Sequence, residues 1–176
     1  MVKNKNLMKL ILTALFTGIA VVLKCFLGIP VNLFGGFIKD INLSTSIIMY
    51  TSIIFGPLYG GIAGGLVDLL AYVIRPMGAF QPLFTVVNIL FGVIPALFTK
   101  LFQNRPFVAT LVKVAVTQTI CSFILNTLIL ILLGYMPASV AWVRALSAFV
   151  LIPVHSVVIY YLLKATEPHY KKIFLQ

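Results

Sequence analysis

The chain has 176 residues, 61% hydrophobic and 9% charged, with three acids against thirteen Lys and Arg. A soluble domain carries about a quarter charged residues, so this composition excludes an ordinary soluble globule and points to one polytopic membrane domain. The net charge of +10 does not mark a nucleic-acid binder, because the basic residues fall mostly between apolar segments rather than along one solvated face.

The expected fold class is all-α: a multi-pass membrane protein with six transmembrane helices in one bundle, over about 7–27, 43–55, 58–74, 83–101, 107–133 and 142–164. The first helix follows a short basic arm. Its Ala14 and Gly18 are spaced small-xxx-small, beside Thr13 and Thr17, and such a stripe lets another helix backbone come close in lipid. It either packs inside the domain or docks on a partner membrane protein. Lys24, near the far end, is placed to snorkel to the interface. Cys25 and Cys121 lie far apart in apolar segments and read as packing residues. Residues 28–42, GIPVNLFGGFIKDIN, form an ordered loop or partial lid that carries Lys39. The second helix stops at Gly56-Pro57, a helix breaker.

The third helix opens with glycines at 60, 61, 64 and 65, and Gly64, Asp68 and Tyr72 continue one stripe at four-residue spacing. Asp68 is therefore expected on the face of closest helix contact, pointing into the bundle, since a carboxylate facing lipid is costly. It either locks the fold by bonding a neighbouring hydroxyl or basic group, or touches a ligand. The second loop, 75–82 (RPMGAFQP), carries Arg75 and Phe80. Helix four contains Asn88 and a late Pro95. Helix five carries Gln118 and Asn126, eight apart and roughly on one face, where amides bridge helices or meet a polar ligand. The third loop, 134–141 (GYMPASVA), leads to Trp142 and Arg144 at the start of helix six. His155 within that helix reads as a structural polar group.

Counting charges at alternate helix ends gives nine Lys and Arg on the side of the termini and four on the other. That puts both termini in the cytoplasm and the three Gly-, Pro- and aromatic-rich loops outside. Loops of this kind are costly to order and usually serve a function. Basic groups among aromatics suit a flat, anionic small molecule. The candidate substrate contacts are Arg75, Phe80, Asn88, Gln118, Asn126, Trp142, Arg144 and Lys39, with Asp68 and His155 as structural polar groups and Ala14 and Gly18 as the docking stripe. No Walker loop, metal cluster, paired carboxylates or Ser/His/Asp set can be assembled, so neither an enzyme nor a cofactor is expected.

Three segments carry a resemblance. FGPLYGGIAGGLVDLL resembles the G-P-x-x-G-G-x-x-G-x-x-x-D-L segment of the substrate-binding (S) components of energy-coupling factor (ECF) vitamin transporters, matching Gly56, Pro57, Gly60, Gly61, Gly64 and Asp68. GAFQPLFT resembles the G-x-[FY]-x-P-G-F-T loop of their folate family at Gly78, Phe80, Pro82, Phe84 and Thr85, with Leu83 in place of the loop glycine. Arg144, Pro153 and the apolar run to Lys164 resemble that family's last helix. Asp40 and Ile47 stand where the family often has an arginine and a proline. The resemblance implies a subunit of the bacterial cell membrane that binds a vitamin from outside, folate being favoured. It also implies association with a transmembrane coupling protein, through Ala14 and Gly18, and with two ATPase subunits. Pantothenate, a pyrimidine precursor or pyridoxine are the alternative vitamins, and a stand-alone facilitator the alternative role.

Overall fold

The computed structural model describes residues 4–33, 36–76, 78–98 and 105–174. Six helices follow one another: α1 Lys5–Leu27, α2 Ser44–Phe55, α3 Pro57–Ile74, α4 Pro82–Leu97, α5 Pro106–Leu132 and α6 Ala141–Phe174. Four of them, α1, α3, α5 and α6, are long and apolar enough to cross a membrane, and α2 and α4 are shorter apolar helices. The polytopic bundle expected from the sequence is the fold observed.

Local chemistry sets the ends. Asn4 caps α1, its side chain accepting from the Asn6 N–H at 3.2 Å. Proline opens α3, α4 and α5, where the missing N–H is one that a helix start leaves unpaired anyway. Gly56 separates α2 from α3 with φ at 101°, a conformation only glycine adopts without strain.

Two features go beyond the expected elements. The first long loop is a two-stranded antiparallel hairpin, β1 Ile29–Leu33 with β2 Gly36–Ile41, irregular between Val31 and Asn32. The last helix runs on past Lys164 to Phe174; in the fourth, the expected residues 99–101 lie outside the described ones.

In lipid, helices gain nothing by burying one Leu against another, so close backbone approach through small residues drives packing. The glycines of α3 provide it against α4. A Cβ on Gly60 would fall 2.1 Å from the Gly92 carbonyl oxygen, one on Gly64 2.0 Å from that of Asn88, and one on Gly92 1.9 Å from that of Gly60. The core centres on α2, where Ile48, Met49 and Tyr50 are buried, and Val67 of α3 packs with them. Phe16 of α1 meets the Tyr50 ring edge-on at 5.1 Å, and the Tyr50 hydroxyl donates to Thr166 of α6 at 2.8 Å. Leu10, Leu15, Val22 and Phe26 of α1 stay exposed, as a lipid-facing surface requires. Thr13 and Thr17 face inward, whereas Ala14 and Gly18 face outward and nothing lies within 4 Å of a Cβ built on Gly18.

Candidate functional site: a cavity under the hairpin and loops

Because the helices alternate in direction, the hairpin and the loops before α4 and α6 share the membrane face opposite the N terminus. A cavity of about 540 Å³ opens beneath them, within the range of small-molecule sites. Every helix contributes to its wall.

Its floor and one side are an ion-pair network. Asp68 of α3 accepts from Lys24 of α1 at 2.6 Å and from the Asn88 amide of α4 at 3.0 Å on one oxygen, and from the Thr85 hydroxyl at 2.7 Å on the other. Asn88 also donates to the Phe84 carbonyl at 3.0 Å. The glycine contact between α3 and α4 sets this spacing: it brings the two backbones close enough for short side chains to bridge. The expected inward direction of Asp68 is what the structure shows, and the carboxylate bonds both a basic group and a hydroxyl. Lys24 does not snorkel outward. With a carboxylate one helix away, pairing inside a low-dielectric bundle outweighs reaching the headgroups.

The opposite wall comes from α5 and α6. Arg144 is buried, donating through Nε to Thr127 at 2.9 Å and through Nη2 to the Ser122 carbonyl at 3.3 Å. His155 is buried too, its Nδ1 2.6 Å from the Ser46 hydroxyl. Between Gln118 and Leu125, α5 is a π-helix, a departure from α geometry that is often found at functional sites.

The rim is aromatic. Tyr72 and Phe80 pack with ring centres 5.1 Å apart, and Gln81 donates to the Tyr135 hydroxyl at 3.2 Å, tying the loop before α4 to the loop before α6. Arg75 is exposed at the end of α3 and donates to the Cys25 carbonyl at 2.7 Å.

Of the sequence-predicted residues, the structure brings Arg75, Phe80, Asn88, Gln118, Asn126 and Arg144 to one cavity, with Asp68 and His155. It does not bring Trp142, which is 64% exposed and outside the lining. Two residues along an α-helix turn the side chain by about 200°, so an inward Arg144 sends Trp142 outward. Lys39 sits in β2 opposite Val31, and its side chain lies outside the described residues. Sequence reasoning missed Lys24, Thr85 and Tyr135. The signal for Lys24 was present: an acid and a base near the same membrane depth, in a chain with only three acids.

Fold and site together define a membrane-embedded small-molecule binder. The family model of the ECF-type riboflavin transporter S component matches residues 4–167, and the chain belongs to that family. This is a family of transporter components rather than enzymes. Among curated proteins, the folate transporter FolT of Clostridium novyi (strain NT) is 30% identical over 116 residues, 64% of this chain. The match spans 66% of that relative's length, just under two thirds. Among solved structures, the crystal structure of FolT bound with folic acid superposes with a TM-score of 0.74, covering 90% of this chain and 92% of that one at 22% identity, which shows the fold alone.

Proposed function

We propose that this chain captures folate from outside the cell and delivers it through an ECF complex. The observation that carries this is the charge balance of the cavity. Lys24, Arg75 and Arg144 line it, and Asp68, the one carboxylate in its described lining, is paired with Lys24. The described lining thus carries three cations and one carboxylate, with aromatic rings at its mouth. Folate brings a flat heterocycle and two carboxylates. Riboflavin, the vitamin in the family's description, has no ionised group at neutral pH; pantothenate has a carboxylate but no ring; pyridoxine is small and neutral.

The charge asymmetry supports the outward-facing site. Leaving out Lys113 and Arg144, which are buried, and Lys24, which is paired inside, eight cations remain at the termini's side against two opposite. Both termini are then cytoplasmic.

The first test is a thermal-shift series of the purified protein with folic acid, riboflavin, pantothenate, pyridoxine and a pyrimidine precursor. Folic acid is expected to give the largest rise. Arg75→Ala and Arg144→Ala should each weaken folic acid binding about tenfold or more, the scale of a hydrogen bond to a charged group. Unchanged affinity in both variants would remove the site.

The outward Ala14 and Gly18 stripe supports docking of α1 on the coupling membrane protein, which carries the two ATPases. Ala14→Leu with Gly18→Leu should leave folic acid binding and melting temperature unchanged while abolishing co-purification with that subunit. Retained co-purification would place the contact elsewhere. ATP-driven release then requires the S component to move as a body within the bilayer, and its apolar exterior permits this. Flux into vesicles containing this chain alone would instead establish a stand-alone facilitator.

A further inference from the structure

Five primary amides line the cavity among the described residues, and they are not equivalent. The Asn42 Oδ1 accepts from the Ser44 and Thr45 hydroxyls, and Gln81 donates to Tyr135. Asn88 uses both N–H donors, on Asp68 and on the Phe84 carbonyl, and acts as a brace. Gln118 and Asn126 of α5 differ: the Gln118 Oε1 and the Asn126 Oδ1 are buried and accept no hydrogen bond among the described residues. Gln118 is 2% exposed. A buried carbonyl oxygen without a donor is costly, and native structures contain few. Two on one helix, both lining the same cavity and standing at either end of the π-helical segment, call for a common cause. The two other orphaned atoms, on Thr13 and Ser52, are hydroxyls outside the lining.

A carboxamide presents C=O beside N–H, the complement of a lactam or 2-aminopyrimidinone edge. The two amides stand eight residues apart at the two ends of this segment, so they meet different parts of a ligand. We propose that Gln118 and Asn126 determine specificity by accepting hydrogen bonds from an elongated heterocyclic ligand with N–H donors at its ring end and N–H or O–H donors along its length. This rests on the vitamin-binding reading of the cavity and assigns the chemistry that its α5 wall recognises. The cations neutralise the ligand's charge; the α5 amides select its heterocycle.

The full-length protein in detergent provides the test, with Gln118→Leu and Asn126→Leu, folic acid and riboflavin as probes, and the melting temperature of the unliganded protein as second readout. Each variant should weaken folic acid binding about tenfold or more, while the unliganded melting temperature stays the same or rises, because an orphaned polar atom has been removed. Affinities within twofold of wild type in both variants overturn the inference. So does a lowered unliganded melting temperature with proportionate loss of binding, which marks the amides as structural. If the wild type binds riboflavin and not folic acid, and both variants lose riboflavin, the folate reading falls and the inference stands. Wild-type binding of neither vitamin ends both.

Discussion

Asp68→Ala is expected to lower the stability of the unliganded protein by about 3 kcal/mol, the low end of the cost of removing one partner from a buried ion pair. The low end applies because the Lys24 and Asp68 side chains keep 22% and 13% of their exposure. The loss has three parts: an ammonium left unpaired inside the bundle, and the Thr85 hydroxyl and the Asn88 amide each without their acceptor. The double variant Lys24→Met with Asp68→Leu should recover about 1 kcal/mol of it. A buried pair replaced by apolar residues is often neutral, and only the two orphaned donors remain, costing about 1 kcal/mol each. Denaturant or thermal unfolding in detergent reads both variants. A double variant as unstable as the single one would mean that the pair is not the unit holding α1 to α3 and α4. The same experiment separates the two roles open to Asp68 in the sequence. A brace shows in the stability of the empty protein, whereas a ligand contact shows in affinity at unchanged stability.

The second large effect lies at the glycine contact. Gly64→Ala places a methyl group 2.0 Å from the Asn88 carbonyl oxygen. The obstacle is backbone, which cannot turn aside, so α3 and α4 must separate. Overpacking a tight site costs about 1–3 kcal/mol and sometimes more; here the upper end is expected, and Gly64→Leu should not fold. Separation would also lengthen the Asn88 and Thr85 bonds to Asp68, so vitamin binding should fall with stability. Gly18→Ala is the matched control. The same methyl on α1 meets nothing within 4 Å and removes a helix-disfavouring glycine, a gain of up to about 1 kcal/mol. Equal effects of the two substitutions on the melting temperature would refute the close approach of α3 and α4.

Periodicity and chemistry in the chain were enough to determine a good deal. Apolar runs broken at Gly56-Pro57 and before Pro82 and Pro106 set the six helices, because a helix in lipid must satisfy its backbone internally and proline or glycine interrupts it. The four-residue spacing of Gly60, Gly64 and Asp68 set the face of closest contact, and the expense of a carboxylate in lipid turned that face inward. The family motifs lie in these same segments, so the class of protein was legible too. Which residues meet across helices was not. Lys24 and Asp68 are 44 residues apart, and spacing along one helix says nothing about what stands opposite it. Trp142 and Arg144 are neighbours in sequence and on different faces in space, so only the packing of α6 selects one for the cavity. Asn88, Gln118 and Asn126 look alike as amides in apolar helices. Tertiary structure separates them, because donors and acceptors are matched across helices: Asn88 finds its partners on Asp68 and Phe84, and the carbonyl oxygens of the α5 pair find none among the described residues.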